Sequence, residues 1–531
     1  MMKRLGHELY DDGVKFPADL EAGRLKSYPE KMLQFGEGNF LRGFVDWMVD
    51  ITNEKGLFNG SAVIVQPIAQ GLVDALNSQD GLYTLYLRGM QDGRTIERKR
   101  IVSSISRGIN PYEDFEAYMK VAESSDLRFI ISNTTEAGIA CSPDDRPDDA
   151  PPVSFPAKLA VFLHRRFKAF NGDPSRGLVI IPCELIDRNG DKLKEAVIKL
   201  SKDWGYGSEF IDWVVNSNYF LNSLVDRIVT GYPKEEASKL ASELGYEDKL
   251  LDTAEIFHLW VIEGDKRFAE ELPFAKAGLN VLWTDDMTPY RTRKVRILNG
   301  AHTMTVLAAY LYGLDTVKEC MDDGLIRAFM EKGLYEEIIP TLDLPEEELL
   351  GFAKSVGERF ANPFIKHYLL SISLNSTSKF KTRVLPSITE YVARKGKIPQ
   401  LLTFSLAALI AFYRGTEFNG NSLRGRREDP GEGREAEYGI QDDKSVLELF
   451  QGLWSDFEQG PAGRDGGPGS LSRLDALTQT VLSKTELWGT DLNTIPGFTA
   501  AVSGYLRRIT EDGIEACMKE PVGQGGRDKD N

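Results

Sequence analysis

The sequence predicts an α/β protein: an N-terminal Rossmann-type parallel-sheet domain followed by a mainly α-helical C-terminal domain. Three observations indicate this. A strand–helix–strand pattern opens the chain at residues 32–65, and further short apolar runs that end in polar residues recur up to about residue 286. Beyond residue 287 the apolar residues follow helical spacing instead. A chain of 531 residues also exceeds what one hydrophobic core usually serves, so two large domains are expected.

The strand–helix–strand pattern begins with the apolar run 32–35 and ends with the apolar run 62–65. Between them, apolar side chains repeat on one side of a helix, at Phe40, Phe44, Val45, Met48 and Val49. A unit of this length with a crossover helix implies a parallel sheet. Buried strands are also predicted at 128–131, 178–181 and 280–283, each followed by polar residues. Ligands of an open parallel sheet bind at such carboxyl ends.

The helical part is predicted to begin at Thr288-Pro289, an N-cap followed by proline at the first helical position, and its first helix to stop at Gly313. Further helices are expected at 316–333, 335–339, 345–360, 401–414 and 471–488. Residues 419–443 and 459–470 lack apolar periodicity and are expected to be loops. The predicted division is a nucleotide-binding domain at 1–286, a helical substrate and catalytic domain at 287–522, and a disordered tail at 523–531.

Composition excludes several classes of function. The net charge of −16 disfavours nucleic acid and anionic membranes as partners, so a small molecule is expected, and an anionic one requires a local cationic pocket. No apolar run is long enough to span a membrane, and residues 1–26 lack the apolar stretch of a signal peptide. The four cysteines are far apart, without a C-x-x-C pair, which favours a reducing compartment over disulfides or structural zinc. A cytoplasmic location is expected; the sequence sets no oligomeric state.

The first chemical motif is the segment 36–42, Gly-Glu-Gly-Asn-Phe-Leu-Arg. Two glycines after a strand permit a tight turn, close approach of backbone N–H groups to a pyrophosphate, and a favourable helix N-terminus. The third glycine of the usual fingerprint is replaced by Leu41, so the motif is incomplete. Its position in a strand–helix–strand unit nevertheless favours dinucleotide binding. Arg42 is interpreted either as a phosphate contact or as an exposed helix residue.

The second strand indicates which dinucleotide is bound. An acidic residue there would hold the ribose 2′-hydroxyl and reject a 2′-phosphate, but Val65 is followed by Gln66-Pro67. Gln66 can hydrogen-bond the hydroxyl, and no Arg or Lys lies beside it to bind a phosphate, so NAD is favoured over NADP. The residues expected to contact NAD are Phe35, Gly36, Gly38, Asn39, Phe40, Arg42, Gln66, Asn133 and Thr134.

The second chemical motif is Lys294, Asn299 and His302 on the helix after the domain boundary. At about 100° per residue, all three fall on one broad face. Reduction of a carbonyl requires a proton donor at the nascent alkoxide and neutral donors that stabilise its charge, roles that a lysine, an amide and an imidazole can supply. Singly, each residue has a structural interpretation: a solvated lysine, a helix-interrupting asparagine and a core histidine.

Other reaction classes lack their residues. The Tyr290-x-x-x-Lys294 spacing matches short-chain dehydrogenases, but position 277, where their serine would stand, is Ala. We interpret the match as chance. The sequence has no H-E-x-x-H, Walker A or G-x-S-x-G motif, and its five histidines are scattered. No metal is therefore expected.

The chain resembles the mannitol dehydrogenase family of polyol-specific long-chain dehydrogenases. The resemblance covers nearly the whole chain and is carried by the segments 33–42, 132–138, 181–187, 230–233, 297–303 and 407–415. It implies a metal-independent, NAD-dependent reaction in which Lys294 is the general acid/base and Asn299 and His302 bind the reacting oxygen and its neighbours. By the same resemblance, Glu136 matches a glutamate near that lysine, and Asp226 matches an aspartate near the polyol. The alternative for Asp226 is an ion pair with Arg227 or another base.

Departures from the family pattern point to its sugar-acid branch. Polyol-oxidising members carry Asp-Asn where this chain has Glu184-Leu185, and an arginine that contacts substrate in those members falls on Ser371. Lys379 keeps a basic family position, and Arg383 follows it at i+4, so the two can converge on one helix face. They are the candidates for a substrate carboxylate, against the alternative of a solvated basic face. The expected substrate is a keto-hexuronate; a fructuronate reductase, a hexitol dehydrogenase and a non-catalytic NAD-binding regulator remain alternatives.

Overall fold

The computed structural model describes residues 2–11, 15–23, 25–134, 138–428, 435–459 and 472–523. The chain divides into two compact units, Met1–Thr288 and Pro289–Asn531. Within the described residues, no helix combines the length and apolarity that crossing a membrane requires. The four cysteines are free thiols.

The described part of unit 1 is an α/β structure. Its strands are β1 Lys3–Arg4, β2 Leu20–Ala22, β3 Glu30–Phe35, β4 Ser61–Val65, β5 Tyr83–Gln91, β6 Arg94–Val102, β7 Ile105–Ile109, β8 Phe129–Ser132, β9 Val179–Pro182, β10 Tyr219–Phe220, β11 Asn222–Asp226, β12 Tyr246–Glu247, β13 Asp252–Glu255, β14 Leu259–Glu263 and β15 Val281–Thr284. Its α-helices are α1 His7–Asp11, α2 Asn39–Leu41, α3 Trp47–Glu54, α4 Val73–Asn77, α5 Phe115–Val121, α6 Phe155–Ala169, α7 Asn189–Asp203, α8 Ser208–Ser217, α9 Ala237–Leu244 and α10 Phe268–Glu271. A π-helical segment, Arg42–Asp46, joins α2 to α3, and a 3₁₀ turn spans Pro174–Arg176.

The central sheet of unit 1 has the order β10-β9-β8-β3-β4-β7, and every pair in it is parallel. From β3, the chain adds strands in one direction through β4 to β7, then in the other through β8 to β10. This is the Rossmann order, and its switch point lies between β3 and β8. Ligands bind at the carboxyl ends of the strands beside such a point.

Both faces of this sheet are buried, which explains its sequence pattern. Met32 and Ile64 belong to the core on one face, and Leu33 and Val63 to the core on the other. Because helices and smaller sheets cover both faces, successive residues of a strand are all apolar rather than alternating.

The predicted fold class is confirmed, and the runs 32–35, 62–65, 128–131 and 178–181 form β3, β4, β8 and β9. The run 280–283 forms β15, but this strand belongs to a separate sheet of order β11-β14-β15. The antiparallel pair β5–β6, within the sheet β13-β5-β6-β2, was not predicted. Its second strand carries a run of charged residues, Glu-Arg-Lys-Arg, that conceals the strand pattern.

The described part of unit 2 is mainly helical. Its first helix, α11 Thr288–Arg293, runs across the unit boundary, and the others are α12 Gly300–Tyr312, α13 Val317–Asp322, α14 Gly324–Lys332, α15 Glu346–Phe360, α16 Leu369–Ile372, α17 Ser376–Arg383, α18 Leu385–Lys395, α19 Gln400–Phe412, α20 Lys444–Gln459, α21 Arg473–Ser483, α22 Thr485–Trp488, α23 Phe498–Asp512 and α24 Ile514–Val522. Two π-helical segments, Lys294–Asn299 and Gly333–Ile338, and two 3₁₀ turns, Ile339–Thr341 and Leu492–Thr494, interrupt this pattern.

Several predicted helices are present with different ends. The helix from residue 288 stops at Gly313, whose φ of 111° forms the expected left-handed cap. Its N-terminus is capped by Asp286, which accepts a hydrogen bond from the N–H of Thr288 at 2.9 Å; Thr288 itself is helical. The single helix predicted at 316–333 is two, because Asp323 caps a new start by accepting from Leu325 and Ile326.

The prediction of a loop at 419–443 is wrong. This stretch contains a three-stranded antiparallel sheet, β16 Phe418–Asn419, β17 Ser422–Glu428 and β18 Glu435–Ile440. Its inward side chains include Arg427, whose guanidinium lies 4.0 Å from the ring centroid of Tyr310, so a charged residue occupies a position where the pattern predicts an apolar one. Most of the second predicted loop, residues 460–470, and residues 524–531 of the predicted tail lie outside the described residues.

Candidate active site

A tight turn at the switch point joins β3 to the helix that begins at α2. Gly36 has φ of 118°, and a Cβ atom there would lie 2.9 Å from the carbonyl oxygen of Asn133, so glycine is required. Gly38 precedes the helix, and a Cβ on it would meet nothing within 4 Å. The turn is therefore closed on its protein side and open on its outer side. The side chain of Phe35 is buried in the core against Phe155, so it supports this turn from beneath.

Arg42 is 2% exposed, so its interpretation as an exposed helix residue is wrong. Its guanidinium donates to the carbonyl oxygens of Glu37 and Leu250 and, at 2.7 Å, to Oδ1 of Asn39, and it lies over the ring of Tyr83. These contacts hold the turn and the start of the helix against β5. Phe40, the remaining predicted residue of this segment, stacks on Phe44 with ring centroids 5.1 Å apart.

A buried polar link stabilises the turn from behind. The amide nitrogen of Gln34 donates to the carbonyl of Gly36 and to Oδ2 of Asp46, both at 3.0 Å. Asp46 is fully buried, and burial raises its pKa to about 7. Since Asp46 ends the π-helical segment, this link fixes the segment relative to the turn.

The side-chain amide of Gln66, at the carboxyl end of β4, is hydrogen-bonded to the loop that follows this strand. Its amide nitrogen donates to the carbonyls of Ile68 and Ala69 at 2.9 and 3.0 Å, and its side chain is 3% exposed. A Cβ on Gly71 would lie 2.2 Å from Oε1 of Glu37 and 2.4 Å from Oε1 of Gln66, so glycine lets the loop fold over both. Gln66 thus shapes the loop beside the expected ribose position.

On the other side of the switch point, Glu184 orders the segment after β8. This carboxylate is 2% exposed and accepts hydrogen bonds from the hydroxyl of Ser132 and from the backbone and hydroxyl of Thr134, at 2.9 to 3.0 Å. Asn133 donates to the carbonyl of Cys183. In the sequence, Glu184 stands out as a departure from the family pattern; a carboxylate three residues after the predicted strand 178–181 was the further signal for its role.

The two other predicted site residues of unit 1 are Glu136 and Asp226. Glu136 lies outside the described residues. Asp226 ends β11 and is 5% exposed. Its neighbour Arg227 directs its guanidinium to the carbonyl oxygens of Glu255 and Gly43, at 2.7 to 2.9 Å, and over Trp47.

In unit 2, Lys294 and Asn299 are the first and last residues of a π-helical segment. The N–H of Gly300 donates to the carbonyl of Val295, five residues earlier, in place of the usual four. The chain therefore winds less per residue than the 100° assumed from sequence, which brings positions five apart closer to alignment. Both side chains are half-buried, as is His302 one turn further on.

The arginines around Lys294 are held by other helices. Arg296 donates to the hydroxyls of Ser387 and Thr341 at 2.6 and 3.2 Å. The guanidinium of Arg293 lies 3.5 Å from a carboxylate oxygen of Glu348. Both are nearly buried, and they tie this helix to α18 and α15.

His302 is enclosed by rings and cations. Its ring stacks on Phe360, with centroids 4.1 Å apart and an interplanar angle of 18°, and His367 meets it edge-on at 5.3 Å. Its Nε2 is buried and has no hydrogen-bond partner among the described residues. Burial is the main reason why the pKa of His302 lies well below its usual value. His367 and three cationic side chains, which include Arg383 and Lys379, lower it further. His302 is therefore a neutral imidazole with an unused ring nitrogen.

Lys379 and Arg383 lie on α17, one turn apart as predicted, and are half-buried. Burial lowers the pKa of each, and Arg383 lowers that of Lys379 further. Lys379 donates to the carbonyl of Ile372 at 2.8 Å, and within the described residues neither cation forms an ion pair with a carboxylate. The carbonyl of Arg383 would lie 3.3 Å from a Cβ on Gly300, which sets α17 against the start of α12.

The turn after β3 has the features that a dinucleotide requires. Gly36 and Gly38 leave the backbone accessible at the switch point, and the helix that begins at Asn39 directs its N-terminus there. Among the described residues, no cluster of three or more His, Cys, Asp or Glu side chains could hold a metal ion.

Comparisons with known proteins agree with this architecture. Residues 30–276 match the mannitol dehydrogenase Rossmann domain, and residues 286–463 match the mannitol dehydrogenase C-terminal domain. The altronate oxidoreductase of Yersinia enterocolitica serotype O:8 / biotype 1B is 47% identical over 494 residues, which cover 93% of this chain and 97% of that protein. The altronate oxidoreductase of Escherichia coli O6:K15:H31 is 47% identical over 493 residues, with the same coverage.

Two solved structures share the fold over nearly their whole length. Pseudomonas fluorescens mannitol 2-dehydrogenase, in a ternary complex with NAD and D-mannitol, is 22% identical, with a TM-score of 0.64 over 97% of this chain and 99% of that one. A D-sorbitol dehydrogenase in substrate-free form is 21% identical, with a TM-score of 0.76 over 98% and 100% of the two chains.

Fold and relatives together define the class: an NAD-dependent oxidoreductase that acts on CH–OH groups. The chain belongs to the mannitol dehydrogenase family, since the two matched domains cover most of its length.

Proposed function

We propose that this protein is a tagaturonate reductase of the cytoplasm, which reduces D-tagaturonate to D-altronate with NADH and catalyses the reverse oxidation. The observation that carries the proposal is the cationic pair Lys379 and Arg383, which is half-buried beside the neutral His302. Among the described residues, neither cation forms an ion pair with a carboxylate, and only Asp442 is seen to act on Lys379. A pair of this kind suits a substrate with a carboxylate, because a desolvated cation gains most from a charged partner. The 47% identity to altronate oxidoreductases supports the same substrate.

The two domains would bind different ligands. Residues 1–286 would bind NADH, and residues 287–522 would bind the sugar acid and supply the catalytic residues. Bound NADH would supply the hydride that the ketone carbon accepts. Gly36 and Gly38 would admit its pyrophosphate; Asn39, Phe40, Asn133 and Thr134 would line the turn, with Phe35, Arg42 and Gln66 shaping it from within.

Lys294 would be the general acid/base. As an ammonium it gives a proton to the ketone oxygen while the carbonyl carbon gains the hydride, which yields the alcohol and a neutral amine. In the oxidation, the neutral amine takes that proton back. Its place at the start of the π-helical segment supports this role, because such segments occur frequently at functional sites. Glu136 would relay the proton from Lys294.

Asn299 and His302 would stabilise the reacting oxygen. Both groups are neutral, and a neutral donor binds a developing alkoxide without competing for the proton of Lys294. Among the described residues, Nε2 of His302 has no hydrogen-bond partner. In unit 1, Asp226 would bind hydroxyls of the sugar chain.

The test compares D-tagaturonate, D-fructuronate and D-fructose as substrates for NADH oxidation. The proposal requires the highest kcat/KM for D-tagaturonate. A preference for D-fructuronate would make the protein a fructuronate reductase, and a preference for D-fructose would make it a hexitol dehydrogenase. Binding of NADH without reduction of any of the three would favour a regulatory protein.

A further inference from the structure

His367 occupies a defined position beside His302. It lies between α15 and α16, and its carbonyl accepts a hydrogen bond from the N–H of Val317 at 3.0 Å. Thr316 and Tyr368 form an isolated bridge next to it. The start of α13 thus holds the backbone of His367 in place. The half-buried ring of His367 therefore has a defined position.

The ring of His367 is available for a ligand. It stands edge-on to His302, with 5.3 Å between centroids and 80° between planes, while Phe360 covers His302 in a parallel stack. Within the described residues, the side chain of His367 makes no hydrogen bond and no ion pair. The ring nitrogens of His367 therefore remain available to a ligand or to water.

The surroundings of this ring are cationic. Lys379 and Arg383 on α17 are near enough to lower the pKa of His302, as is His367 itself. His302 therefore has one imidazole, His367, at 5.3 Å between ring centroids, and two cations of α17 in its electrostatic surroundings, and all three can donate to an anion. Among the described residues, no carboxylate forms an ion pair with Lys379 or Arg383; Asp442 acts on Lys379 and raises its pKa, against the larger lowering effects of burial and Arg383. An anionic ligand would complement this pair of cations.

We propose that His367 is a specificity-determining residue that donates a hydrogen bond to the substrate carboxylate, together with Lys379 and Arg383, and so selects keto-uronates over neutral ketoses. This inference rests on the proposed reductase function, since it places one end of that substrate. It adds a residue to the site that sequence patterns did not indicate, because a lone histidine in an irregular segment carries no periodic signal.

The test uses two substrate pairs that differ only by the carboxylate: D-tagaturonate with D-tagatose, and D-fructuronate with D-fructose. His367→Phe keeps an aromatic edge beside His302 but removes the donor, and His367→Gln restores an N–H donor. We expect His367→Phe to lower kcat/KM for the acid about tenfold or more through KM, a loss typical of a hydrogen bond to a charged group. Activity on the neutral ketose should change less than about threefold, and His367→Gln should recover part of the acid preference.

Equal losses on acid and ketose would overturn the inference and make His367 a packing residue for His302; no loss on either would overturn it as well. Calorimetric binding of D-altronate and of the neutral polyol D-altritol to the enzyme saturated with NADH separates this inference from the proposed function. If neither keto-acid is reduced, the reductase proposal fails. The inference would then stand only if His367→Phe still weakens D-altronate binding selectively.

Discussion

The carbonyl oxygen of Asn133 lies 2.9 Å from the position that a Cβ atom on Gly36 would take. These residues follow β8 and β3, the neighbouring strands at the switch point of the sheet. Gly38, two residues later, has no atom within 4 Å of its Cβ position. The protein itself therefore requires the first glycine, whereas only a ligand that approaches from outside would require the second.

Alanine at these two glycines should have different effects. Gly36→Ala should destabilise the protein by about 1–3 kcal/mol, because its φ of 118° is strained for alanine, and it should weaken NADH binding as well. Gly38→Ala should leave the urea midpoint unchanged and weaken NADH binding about tenfold. NADH fluorescence titration and urea unfolding measure both. Normal NADH affinity in Gly38→Ala would show that the cofactor does not approach that residue.

The proposed role of Lys294 predicts a loss of turnover without loss of cofactor. Lys294→Ala should lower kcat by about 10²–10⁴-fold, the usual contribution of a positioned acid, and leave the Kd of NADH within about twofold. Lys381→Ala, another lysine of the same unit, serves as the control and should retain its kcat. Near-normal turnover in Lys294→Ala would rule the assignment out.

The raised pKa of Asp46 predicts that the difference in stability between wild type and an Asp46 variant depends on pH. Its pKa is about 7 in the fold, against 3.8 when exposed, because burial disfavours the carboxylate. Between these values the folded protein keeps a proton that the unfolded chain has lost, so this group stabilises the fold less as pH rises towards 7; above about 7 it is ionised in both states. Asp46→Asn resembles the protonated form and lacks this dependence.

The free energy of unfolding of Asp46→Asn relative to wild type should therefore rise from pH 5 to pH 7, by at most about 1.4 kcal/mol per pH unit, and level off above that range. Urea unfolding at pH 5, 6, 7 and 8 measures it. A difference that is constant across this series would contradict the raised pKa.

Arg427 should anchor the β17–β18 hairpin. Its guanidinium donates to the carbonyls of Tyr310 and Leu314 at 3.1 Å and to Asp315 at 2.7 Å. Arg427→Met keeps much of the side-chain length and loses these bonds, so stability should fall by about 1.5–3 kcal/mol. Arg426→Met is the matched control: that side chain is exposed and faces Glu437 at 3.7 Å, a surface pair worth about 1 kcal/mol or less. Equal effects of the two substitutions in thermal unfolding would refute the anchor.

The sequence predicted the strands that are apolar on both faces and missed those that are not. β3, β4, β8 and β9 appear as uninterrupted apolar runs because both sides of their sheet are covered. β6 and β17 carry buried or half-buried arginines, and only their partners in space make such charges compatible with a strand. Pattern analysis has no access to those partners.

The residues of the candidate site were likewise predictable from the sequence only in part. Lys294, Asn299 and His302 could be grouped because helical spacing relates them directly, although the π-helical winding changes their angles. Gln66 was expected to be available for a ribose hydroxyl, and its hydrogen bonds to the following loop could not be predicted from residue types. The position of His367 and the hydrogen bonds of Glu184 to Ser132 and Thr134 were not predicted, because each of these residues contacts elements far apart from it in the chain.

The π-helical segment Lys294–Asn299 also restricts how this helix can change in evolution. Such a segment holds a surplus residue relative to an α-helix of the same rise, and its wider turn absorbs that residue, so the α-helix downstream keeps its rotational phase. Removing one residue here would restore ordinary α-helical winding and leave His302 beside Phe360 and His367. It would change the angle between Lys294 and Asn299, the two ends of the segment, so the length of the segment sets how these two side chains are placed relative to each other.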